Sequence, residues 1–135
     1  MKMNNLSGTA RHRRSVSEGG RSKKTAAAIA ELLMIEECVE RCECLAETLI
    51  ASGISHPLVG QLSECISACE NYMAAKSRES SYESRLARFA HEVLGATSQG
   101  CRQIECDASI RCRMACDIAR GFIANTTIVR DPLWN

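Results

Sequence analysis

Cys38 and Cys42, Cys65 and Cys69, and Cys112 and Cys116 stand four residues apart in three separate stretches of the chain. Residues at that spacing share one face of a helix, with Cβ atoms about 5–6 Å apart. A disulfide needs Cβ atoms about 3.5–4.5 Å apart, so an intact helix disfavours oxidation within a pair. The same geometry turns two thiolates toward one soft metal ion. Thiolates select Cu(I), Zn(II) or iron–sulfur clusters, and a wholly sulfur set with methionines nearby leans to Cu(I), with zinc as the second choice. Zinc ligands usually lie in closely spaced knuckles, and the C-x-x-C runs of iron–sulfur proteins are absent.

These pairs require helices to carry them. Ile29, Leu32, Leu33, Ile35, Val39, Leu45 and Leu49, with Cys38 and Cys42 among them, recur at the helical period. They predict a first helix capped by Thr25 and ended by Gly53. Ser55 is the expected cap of a second helix, with Pro57 near its first position, where a missing N–H is harmless. Its inner stripe is Leu58, Leu62, Cys65, Cys69 and either Tyr72 or Met73.

After the polar residues 76–81, a third helix is outlined by Tyr82, Leu86, Phe89, Ala90, Val93 and Leu94, ending near Gly95 to Gly100. A fourth is expected from about Cys101 to Ala124. Three helical turns would bring Cys101 back above Cys112, and so make it a seventh interior thiol. At about 100° per residue, Cys44 lies roughly 200° from Cys42 and Cys106 roughly 120° from Cys112, which puts both outside the central stripe. The candidate metal ligands are therefore Cys38, Cys42, Cys65, Cys69, Cys101, Cys112 and Cys116. Met34, Met73 and Met114 read as core, and His56 and His91 as surface or polar-core residues rather than ligands.

The expected architecture is all-α, an antiparallel four-helix bundle over residues 25–124, with a disordered basic arm at 1–24 and a C-terminal tail at 125–135. Bundles of this kind often hold metal between facing helices. Residues 1–24 contain seven Lys or Arg against Glu18, a net charge of +6, while the remainder carries −5. The arm reads first as a solvated tail. Attachment to nucleic acid or another polyanion is its lesser reading. Trp134 in the tail would pack back on the bundle or lie free.

Composition narrows the classes further. Aromatic residues make up only 4% of the chain, so Ala, Leu, Ile, Val and Cys must build the interior. Nine cysteines cannot all pair within one chain, and only two prolines interrupt the helix-forming sequence, which favours a reducing compartment and a cytoplasmic protein. No run of 18 apolar residues exists to span a membrane. The apolar stretch after Arg13 and Arg14 is broken by Glu31 and continues the first helix, unlike an export signal. No Cys/His arrangement suggests a catalytic nucleophile, so an enzyme is not expected. Acidic and basic residues at helical spacing, such as Glu37 and Arg41, read as a solvated face. Leftover apolar stripes would favour a homo-oligomer.

The segments Glu37-Cys38-Val39-Glu40-Arg41-Cys42-Glu43-Cys44, Glu64-Cys65-Ile66-Ser67-Ala68-Cys69-Glu70 and Arg111-Cys112-Arg113-Met114-Ala115-Cys116 give the chain a resemblance, over about residues 30–120. It resembles the cysteine-rich four-helix bundles of the copper-storage family, which project such thiols into the core and hold Cu(I). The resemblance implies cytosolic copper storage or buffering. Leu86, Phe89, Val93 and Leu94 stand on the third helix where members of that family usually carry further thiols, which implies a smaller capacity. On the residues alone two alternatives stay open: a bundle whose thiols only pack, serving a structural or interaction role, and a thiol redox sensor.

Overall fold

The computed structural model describes residues 19–53 and 56–128. Four helices run in order: α1 (Gly19–Ala51), α2 (Pro57–Ser77), α3 (Glu83–Cys101) and α4 (Asp107–Ile123), followed by a π-helical turn over Ala124–Ile128. Each helix packs on two neighbours, α1 on α2 and α4, and α3 on α2 and α4, so α1 and α3 occupy one diagonal of the bundle and α2 and α4 the other. Cross-helix pairs run in opposite senses. Cys38 meets Cys116 while Cys42 meets Cys112, so the chain rises on α1 as it falls on α4. The fold is the antiparallel four-helix bundle that the periodicity predicts. No described helix is long and apolar enough to cross a membrane.

Local chemistry explains the helix ends. The His56 Nδ1 accepts the Leu58 N–H at 3.0 Å and caps α2, with Pro57 in its first turn. The expected cap, Ser55, lies outside the described residues. Gly53 adopts φ +75° after α1, a left-handed conformation that glycine takes without a Cβ penalty. At the end of α2, the Ser80 N–H reaches the Ala75 carbonyl at 2.9 Å and the Glu79 N–H reaches Lys76 at 3.1 Å, a Schellman closure. Its left-handed position is held by Glu79 at φ 55°, where glycine is the usual occupant. Glu79→Gly is therefore expected to raise stability by about 0.5–1 kcal/mol, the left-handed penalty less the entropy of glycine. Urea unfolding checks this, and an unchanged midpoint would contradict it.

Several boundaries differ from expectation. Helix α1 begins at Gly19, so Thr25 is inside the helix and not its cap, and residues 19–24 of the expected disordered arm are helical. Residues 1–18, which carry the rest of that arm, lie outside the described residues. Helix α3 continues through Gly95 and Gly100 to Cys101, because both glycines are packed against neighbours: a Cβ on Gly100 would stand 2.9 Å from Leu58 Cδ1, and one on Gly95 would stand 3.1 Å from Arg120 Nε. Cys101 thus ends α3 rather than opening α4. The expected tail at 125–135 also starts differently, since the π-helical turn docks Thr126 and Thr127 on the bundle. Trp134 lies outside the described residues.

The inner faces are mostly small. Helix α1 buries Ile35, Cys38, Cys42, Leu45 and Leu49, while α3 buries Ala87, Ala90, Val93, Leu94 and Thr97. Phe89 and Tyr82, expected inside, are exposed, because the buried face of α3 is rotated by about one residue from the stripe that its large side chains trace. Ile29, Leu32 and Leu33 are exposed as well: α1 has 33 residues against 21 in α2, so its early turns have little to pack against. Met114 is exposed and not core, projecting from α4 opposite Cys112 and Cys116, whereas Met73 packs partly buried against the core.

Candidate metal centre

All seven predicted thiols are buried and free. The sulfurs of Cys38, Cys42, Cys65 and Cys116 lie within 4.8 Å of one another, a four-sulfur cluster drawn from α1, α2 and α4 that could hold a metal ion. Two shorter contacts tie α1 to α4, Cys38 Sγ to Cys116 Sγ at 3.6 Å and Cys42 Sγ to Cys112 Sγ at 3.7 Å. Cys69 extends the array on α2 beside Cys38 and Cys65. Cys101 extends it on α3 beside Cys112. Cys101 reaches Cys112 because the connection at residues 102–106 folds α4 back beside α3, not through continuous helix as the spacing suggested. Helix α3 therefore does contribute one thiol.

The two cysteines expected outside are outside the cluster. Cys44 is exposed on α1, and Cys106 is partly buried at the N-cap of α4. His56 spends its Nδ1 on the α2 cap, and His91 lies partly buried on α3, where burial and the Arg120 charge lower its pKa. Glu37 and Arg41 form the expected partly exposed ion pair at 2.7 Å.

Packing thiols this closely in a dry core splits their proton affinities. The thiols of Cys116, Cys38, Cys42 and Cys69 crowd around Cys65 and hold its pKa below the ordinary thiol range, against the pull of burial. Cys116 moves the other way, pushed up by its neighbours Cys112, Cys38, Cys42 and Cys65 and by burial. Cys101 is likewise pushed up by its neighbour Cys112 and by burial. The array thus favours one shared negative charge and resists a second beside it. That charge places a landing point for a cation within the four-sulfur cluster.

Sequence reading passed over Glu31, noting only that it interrupts an apolar run. The structure buries this carboxylate to 1% exposure. Its Oε1 receives Lys76 Nζ, and its Oε2 receives Tyr72 OH at 2.8 Å and Thr126 Oγ1 at 2.5 Å. Tyr72 also contacts Thr127, and burial pushes the Tyr72 phenol pKa up. One signal was available: Glu31 precedes Cys38 by seven residues, two helical turns, and so shares its inward face. This network closes the bundle on the side of Cys38 and Cys69, away from the α3–α4 connection. No family model, characterised protein or solved structure matches the chain.

Proposed function

We propose that the protein binds Cu(I) through its core thiolates and serves to store or buffer copper in a reducing, cytosolic setting. The observation that carries this reading is the four-sulfur cluster, continued by Cys69, Cys112 and Cys101 into a seven-thiol array. Charge favours copper over zinc. A Cu(I) ion replaces a thiol proton without changing the charge of the core, whereas Zn(II) held by four thiolates leaves a double negative charge. Among the described residues the buried polar or charged side chains are Glu31, Thr97, Ser98, Ser109 and Thr127, so no buried cation offsets such a charge. An uncompensated buried charge is costly. A single zinc tetrahedron would also leave three of the seven thiols without a role, while Cu(I) ions bridged by shared thiolates use them all. The motif resemblance to copper-storage bundles supports the same conclusion.

Anaerobic titration of the reduced protein with Cu(I), in competition with a strong chelator, tests the reading. More than one equivalent retained per chain is expected, and retention of less than one sinks it. Zinc presented in the same way should be held more weakly than Cu(I); preferential retention of zinc would reassign the site.

A further inference from the structure

We propose that Cys106 and Cys101 form a loading port at the α3–α4 corner, where Cu(I) is received from a thiol-bound donor and handed inward to Cys112. The port rests on the copper reading above and adds to it a site outside the seven core thiols.

The two ends of the thiol array differ. Beyond Cys38 and Cys69 the bundle is closed by Glu31, Lys76, Tyr72, Thr126 and Thr127, whose polar atoms are engaged with one another. Toward the other end, Leu45, Leu49, Leu58 and Leu62 fill the α1–α2 side and offer no ligand. The α3–α4 side is different. A cavity of about 440 Å³ opens there, and its lining includes both Cys101 and Cys106. Cys101 is 2% exposed and Cys106 partly exposed, so the lining offers one buried thiol and one that solvent reaches. Cys101 in turn neighbours Cys112, which is 3.7 Å from Cys42. The sulfurs Cys106, Cys101, Cys112 and Cys42 thus mark a path from solvent to the cluster.

Cys106 is held in place by its loop. Ser109 Oγ accepts the Cys106 N–H at 3.4 Å and donates to the Cys106 carbonyl at 3.1 Å and to that of Ile104. Arg102, Arg113, Glu105 and Asp107 all line the cavity, a balanced set of charges that repels neither a cation nor an anionic complex. Cys44, the other thiol outside the core, has exposure but no such route, since it projects from α1 away from the array.

The transfer needs only ligand exchange. A Cu–S bond to Cys106 forms as one Cu–S bond to the donor breaks, and the Cys106 proton leaves on the departing donor thiol. Cys101 displaces the second donor thiolate in the same way. Cys112 then replaces Cys106, whose thiol is restored by the proton that Cys112 gives up. Copper stays Cu(I) throughout.

The test follows the anaerobic rate at which the reduced protein takes Cu(I) from its glutathione complex, read by thiolate-to-metal ultraviolet absorption. Cys106→Ser is expected to slow uptake at least about tenfold, since a hydroxyl is a poor ligand for soft Cu(I). It should leave the final loading within one ion of wild type. Serine is a preferred N-cap, so this variant should keep α4 folded, which circular dichroism checks. Cys44→Ser should load at the wild-type rate. A Cys106→Ser protein that loads as fast as wild type overturns the port and leaves the copper reading standing, as does an equal slowing by Cys44→Ser. A wild-type protein that takes up no Cu(I) overturns both.

Discussion

Replacing Cys65 with alanine is expected to weaken Cu(I) retention by about 100-fold or more, roughly 3 kcal/mol at 1.4 kcal/mol per tenfold. Cys65 lies within 4.8 Å of the sulfurs of Cys38, Cys42 and Cys116, and its thiol neighbours, Cys116 foremost, hold its pKa below the ordinary thiol range. Without it the four-sulfur cluster loses its α2 member, and the remaining thiols face a vacancy. The cost to the folded chain should be small by comparison, about 1 kcal/mol for deleting one sulfur from a packed core. Metal affinity and apo stability therefore separate in this variant. Chelator competition reads the first and urea unfolding of the metal-free protein the second. Ligand binding stabilises a fold by about 4 kcal/mol when free ligand exceeds the dissociation constant a thousandfold. Cu(I) should accordingly raise the melting temperature of the wild type far more than that of Cys65→Ala. Equal retention by both proteins would remove Cys65 from the centre of the site.

Lys76→Met is expected to destabilise the bundle by about 3–5 kcal/mol, the usual cost of removing one partner from a buried ion pair. Glu31 is 1% exposed at the side chain while Lys76 is 29% exposed, so the lysine is the partner that reaches water and the carboxylate is the one trapped. After the change, Glu31 would keep only the neutral donors Tyr72 and Thr126. Removing both charges together should be far milder, because apolar or neutral replacements of a buried pair are often tolerated. In a double-mutant cycle, Glu31→Gln with Lys76→Met should recover much of the single-variant loss, with an interaction energy of at least about 1 kcal/mol. A Lys76→Met cost under about 1 kcal/mol by urea unfolding would show that solvent reaches Glu31 and that the network does not seal this end.

The helical period was legible because it is local. Cys38 and Cys42, or Cys112 and Cys116, share a face whatever lies opposite, since 3.6 residues per turn settles that within a single helix. Four such stripes with short connections lead directly to an antiparallel bundle. Cys44 was legible as an outsider on the same ground, standing roughly 200° from Cys42. In α3, where the large side chains trace a misleading stripe, the buried face was misread by about one residue. There the large side chains Tyr82 and Phe89 point outward, and alanines occupy the interior where helices approach closely. Glu31 was overlooked because its meaning depends on Lys76, 45 residues away.

What the sequence determined by itself was that the paired thiols of α1, α2 and α4 face inward, and hence that six of them would meet in one core. Tertiary structure alone decided how they meet. The contacts of Cys38 with Cys116 and of Cys42 with Cys112 span 78 and 70 residues, and sliding α4 by one turn, about 5.4 Å, would replace them with others while leaving every helix unchanged. Cys101 shows the same dependence, since it reaches Cys112 through the fold of a loop and not through its place on a helix. Periodicity is a property of one helix, but register is set by packing between helices, and a metal site of this kind exists only in the register.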